Sequence, residues 1–66
     1  MLEFEVADMT CNHCVSAITK AVNAVDPSAQ LNIKLEAHRV GINGTASADA
    51  IEAAIREAGY SPIRIN

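Results

Sequence analysis

Cationic surface, aromatic bulk and long apolar runs are all scarce in this chain. Its 66 residues hold five Lys and Arg against eight Asp and Glu, a net charge of -3 at pH 7. No cluster of cations appears, so the basic footprint of a nucleic-acid module is missing. No apolar run nears the roughly 18 residues that cross a bilayer. The opening Met1-Leu2-Glu3-Phe4-Glu5 places no basic region ahead of an apolar one, as a signal peptide would. Neither an anchor nor an export signal is therefore expected, and the expected compartment is the reducing cytoplasm. Tryptophan is absent, and Phe4 and Tyr60 are the only aromatics. An interior so poor in rings must be built from Val, Ile, Leu and Ala, and alanine lets helices sit close on a sheet. A chain of this length buries only about 60% of its unfolded surface, which leaves room for one small core. A single domain over residues 1–66 is expected.

The two cysteines, Cys11 and Cys14, are too close together to staple a fold, because closing so short a loop removes little unfolded-state entropy. In a reducing compartment such thiols stay free to bind metal or exchange electrons.

The apolar periodicity divides the chain into six elements. Leu2, Phe4 and Val6 alternate with Glu3 and Glu5, the pattern of a strand with one buried face. From Cys14 the period lengthens. Val15, Ile18, Val22 and Val25 give one apolar stripe, predicting a helix from about Asn12 to Val25 that Asp26-Pro27 stops. Leu31, Ile33 and Leu35, then Val40 and Ile42, read as a hairpin turning at Glu36 to His38. Ser47 is placed to cap a second helix whose buried stripe is Ile51, Ala54, Ile55 and Ala58, ended by Gly59. Pro62, Ile63 and Ile65 close with a short strand. The order βαββαβ defines an α+β ferredoxin-like fold, a four-stranded antiparallel sheet with two helices on one face. Right-handed crossovers bring the cysteine loop, the hairpin tip near His38 and the Gly59-Tyr60 turn to the same end.

Cys11 falls in the loop and Cys14 in the first helical turn, where unpaired N–H groups and the positive end of the dipole favour thiolates. Soft thiolates select Cu(I), a d10 ion satisfied by two or three sulfurs. Zn²⁺ normally takes four ligands, and this loop supplies two. A metal held this sparsely is open to attack by an incoming thiolate, so tight binding and fast exchange are compatible.

Met9-Thr10-Cys11-Asn12-His13-Cys14, at the first strand-to-helix junction, resembles the metal motif of heavy-metal-associated domains. The resemblance covers essentially the whole chain. It implies a bacterial copper chaperone or the cytosolic metal-binding domain of a heavy-metal P-type ATPase, with Cys11 and Cys14 as ligands and Met9 as a buried loop anchor. It also puts Tyr60 beside the site. Asp8 stands where many relatives carry Gly. Thr10 stands where zinc-handling relatives tend to be acidic, which favours copper.

For Met9, core packing is preferred to thioether ligation. His13 is either a third ligand or a solvated surface residue, and side-chain direction in a first helical turn favours the latter. Thr10 is a candidate helix cap or thiolate partner, and Tyr60 a candidate shield and hydrogen-bond donor. His38 is placed at the same end but too distant to ligate. The expected function is a non-enzymatic Cu(I) chaperone, monomeric without metal and open to a copper-bridged dimer. Its expected partner is the metal-binding domain of a copper-transporting P-type ATPase. The rival readings are a Zn²⁺, Cd²⁺ or Hg²⁺ handler of the same fold and a dithiol redox protein. Against the latter stand the short chain and Asn12-His13 where the familiar redox motif has Gly-Pro. Met1 just ahead of the first strand and Asn66 just past the last suggest a free-standing protein.

Overall fold

Strand β1 (Leu2–Val6) leads into helix α1 (Asn12–Val25), and a hairpin follows of β2 (Gln30–Lys34), a 3-10 turn (Leu35–Ala37) and β3 (Arg39–Asn43). Helix α2 (Ala48–Glu57) and strand β4 (Pro62–Arg64) complete the chain. A computed structural model describes residues 2–65; Met1 and Asn66, the expected ends of the domain, lie outside the described residues. The sheet order is β2-β3-β1-β4 with every pair antiparallel, which is the expected ferredoxin-like topology. Among the described residues, no helix is long and apolar enough to cross a membrane.

The strand alternation sends Phe4, Val6, Val40 and Ile42 to the helix-covered face, where they meet Ile18 and Val22 of α1 and Ile51 and Ile55 of α2. Each such side chain contributes about 1.5–3 kcal/mol when removed from water. Ser47 caps α2 as expected, its hydroxyl accepting from the Ala50 N–H at 3.1 Å. Gly59 follows with φ 99, the left-handed backbone that ends a helix cheaply only at glycine.

Three details of the apolar pattern fall differently. Val25 is 45% exposed because it is the last residue of α1, past the part of the helix that crosses the sheet. Ala58 is exposed because it is the C-cap of α2 and has already turned from the core. Leu35 leaves the strand for the 3-10 turn, drawn tight by the His38 N–H donating to the Leu35 carbonyl at 3.1 Å.

Asp26 does more than stop α1. It is buried, and Oδ2 accepts from the N–H groups of Thr45 (2.7 Å) and Ala46 (3.0 Å) while Oδ1 takes the Ser28 hydroxyl (2.7 Å). These bonds tie the end of α1 to the loop between β3 and α2. They hold the carboxyl down at about 2 against an ordinary 3.8, the Ser28 hydroxyl being the largest cause and the Ala46 and Thr45 N–H groups next. A folded-state pKa below the unfolded one stabilises the protein above the unfolded value, and the contribution is lost as pH falls through the folded one. Urea midpoints of the wild type should therefore drop between about pH 4 and pH 2, and Asp26→Asn, less stable at pH 7, should show a flatter profile there. A Cβ at Gly44 would collide with Asp26 Oδ2 and crowd the Ala29 backbone. Gly44→Ala should cost about 1–3 kcal/mol by the same denaturation measurement.

Candidate metal centre

The loop between β1 and α1 dips into the core once. The Met9 N–H donates to the Val6 carbonyl at 3.0 Å, closing a turn through Ala7 and Asp8, and the Met9 side chain is fully buried in the core cluster. The chain then returns to the surface, leaving Thr10, Cys11, Asn12 and His13 exposed. Met9 thus sits where an anchor should.

Cys11 is the N-cap of α1, with extended backbone at φ -153 and ψ 172. Its carbonyl accepts from the N–H groups of Cys14 (3.0 Å) and Val15 (3.2 Å), which fixes one cysteine a helical turn from the other. Both thiols are free, Cys11 exposed and Cys14 half-buried, with Sγ atoms 3.6 Å apart. With metal–sulfur bonds of about 2.3 Å, that separation matches a bent arrangement near 100°, and a linear one would need about 4.6 Å.

The surroundings favour charge on Cys14. Its thiol is lowered from 9.0 to about 7, first by the Tyr60 hydroxyl, then by the Thr10 backbone N–H, with smaller help from Cys11 against the opposing effect of burial. The reciprocal effect raises Tyr60 to about 12, chiefly because its hydroxyl donates to Cys14 and secondly because it is partly buried. A donor that keeps its proton beside a thiol that loses one is a thiolate-stabilising pair. The Cys14 Sγ also lies 3.9 Å from the Asp8 carbonyl oxygen.

The three loops meet as the connectivity requires. The Asp8 carboxylate accepts from the Ser61 N–H at 3.3 Å, joining the cysteine loop to the turn before β4. His38 reaches the loop from the hairpin, its Nδ1 lying 3.0 Å from the Met9 carbonyl oxygen. Thr10 does not cap α1: Cys11 holds the N-cap position and no side-chain cap bond forms. His13 is exposed on the first turn of α1. Among the described residues no group of three or more His, Cys, Asp or Glu converges, so the two sulfurs stand as a pair. The links made by Asp8 and His38 are absent from the sequence reading, since both depend on which backbone groups the three loops bring face to face.

Fold and site together define a βαββαβ domain presenting a paired-thiol loop at one end of its sheet. The chain belongs to the heavy-metal-associated domain family, whose sequence profile matches residues 3–61. It is 38% identical over 61 residues to the COP-associated protein of Helicobacter felis, covering 89% of this chain and 92% of that one. It is 44% identical over 61 residues to copper-transporting ATPase 2 of Rhizobium meliloti, where the match takes in 88% of this chain but spans only 7% of the ATPase. Its fold superposes on a variant of the copper chaperone Atx1 from Synechocystis PCC6803 with a TM-score of 0.93, at 28% identity and covering 96% of this chain and 100% of that one. The heavy-metal-associated domain is a non-enzymatic, metal-binding module.

Tyr60→Phe removes the O–H donor and leaves the ring. The Cys14 thiol should then titrate above about 7, toward its ordinary 9.0. Thiolate absorbance against pH, read in a Cys11→Ser background, measures the shift.

Proposed function

We propose that this chain is a cytoplasmic Cu(I) carrier in which Cys11 and Cys14 hold the ion and pass it by ligand exchange to thiolates of a copper-transporting P-type ATPase. One observation carries the reading: two free thiols 3.6 Å apart on an exposed loop, the inner one lowered to about 7. A d10 ion content with two sulfurs suits such a pair. Zn²⁺ would look for four donors, and among the described residues no larger group of His, Cys, Asp or Glu assembles.

The relatives point the same way. One is a COP-associated protein matched over 92% of its length, and another is a copper-transporting ATPase matched over 7% of its length. A donor and an acceptor built on the same domain suit a transfer that is nearly balanced in energy. An acceptor thiolate adds to the bound Cu(I), giving a three-sulfur intermediate. The Cu–S bond to the exposed Cys11 then breaks, a second acceptor thiolate adds, the bond to Cys14 breaks, and the released thiolates equilibrate with protons. Residues 1–66 serve this role as a single domain, monomeric without metal, and a four-sulfur site shared by two copies accounts for any copper-bridged dimer.

The test is anaerobic Cu(I) titration against a competing chelator, on the wild type and on Cys11→Ser and Cys14→Ser. One Cu(I) per chain, or per pair of chains, should bind, and each substitution should weaken binding more than about a hundredfold, beyond what outer-shell changes produce. Wild-type affinity no greater than that of an exposed dithiol would contradict the reading.

A further inference from the structure

His38 occupies an unusual backbone position. It is the one non-glycine residue with positive φ among the described residues, at φ 55 and ψ 37. Glycine or asparagine takes that conformation more readily than a residue with a bulky ring. The ring is not idle. Its Nδ1 lies 3.0 Å from the Met9 carbonyl oxygen. A carbonyl only accepts, so Nδ1 carries the proton. The His38 carbonyl meanwhile accepts from the Val6 N–H at 2.8 Å, and the Val6 carbonyl accepts from the Met9 N–H at 3.0 Å. Three hydrogen bonds therefore close a circuit through Val6, Met9 and His38, joining the end of β1, the cysteine loop and the hairpin.

The bond to Met9 matters because of what lies across that peptide. The Met9 C=O and the Thr10 N–H belong to one planar trans amide and point in opposite directions, so holding one aims the other. Thr10 leads directly into Cys11, the N-cap of α1, so that amide sets how the loop enters the thiol pair. Donation to the carbonyl also polarises the amide and strengthens its N–H as a donor.

We propose that His38 is a positioning residue for the metal loop: its Nδ1–H holds the Met9 carbonyl and so fixes the Met9–Thr10 peptide that leads into Cys11. The proposal rests on the Cu(I)-carrier reading for its consequence and on the metal-free protein for its geometry. His38 touches no metal and acts only through the Met9–Thr10 peptide.

His38→Gly tests it, because glycine accepts the backbone conformation while the ring donor is lost. The urea midpoint should be nearly unchanged, the Met9 amide of the metal-free protein, bonded to the Val6 carbonyl, should exchange faster with solvent, and Cu(I) affinity should fall about tenfold. Unchanged Met9 exchange overturns the proposal, as does unchanged affinity in a variant whose Met9 amide has loosened. Should wild type bind no Cu(I), the carrier reading fails while Met9 exchange still decides the positioning role. Nitrogen-15 spectra of wild-type His38 give a check independent of any variant's folding. Protonation at Nδ1 is required, and a neutral ring protonated only at Nε2 rules the bond out.

Discussion

The position of β1 in the middle of the sheet is the constraint from which the site follows. Val6, its last residue, pairs with Pro62 of β4 on one side and donates to the His38 carbonyl on the other. Whatever leaves β1 at that point emerges between the hairpin turn and the turn that enters β4. Met9 then has one place to put its side chain, into the core beneath the loop, and burying it forces the next residues outward. The thiols are presented at the surface because Met9, two residues before Cys11, is not.

This arrangement gives the two cysteines different work. Cys14 starts on a helix, is half-buried, and has the Tyr60 hydroxyl and the Thr10 backbone N–H favouring its thiolate. Cys11 caps the same helix from outside and is exposed. An ion bound to both would be held by a supported thiolate and approached from the side of an unsupported one. Transfer between proteins benefits from that asymmetry, since the incoming ligand meets the bond that is easier to replace. The far end of the molecule is secured separately by the Asp26 carboxylate, so rearrangement of the loop need not loosen the packing of α1 on the sheet.

Most of the architecture was legible in the spacing of apolar residues. Leu2, Phe4 and Val6 at period two, and Val15, Ile18 and Val22 at helical period, define elements whose order admits few topologies. The pattern failed at element ends: Val25 and Ala58 keep the helical period but lie where their helices have left the core, and Leu35 keeps the strand period but belongs to the 3-10 turn. The cysteine pair and the nearness of Tyr60 were legible through their resemblance to a known motif. Asp8 and His38 were not, because each acts on a backbone group far away in sequence, Ser61 in one case and Met9 in the other. Side-chain periodicity carries no record of which carbonyl or N–H a folded loop leaves unpaired. Asp26 was visible as a helix stop, yet the N–H groups of Thr45 and Ala46 that surround its carboxylate were hidden for the same reason.

The central claim is that the ion is held by sulfur alone, with the histidines at this end of the molecule left out of its shell. X-ray absorption at the copper edge, on protein loaded anaerobically with one equivalent of Cu(I), reads that shell directly. Two or three sulfur neighbours at about 2.3 Å, unchanged by His13→Ala, are the expected result. A nitrogen neighbour that disappears in His13→Ala or His38→Gly would contradict it and would make an imidazole part of the carrier site.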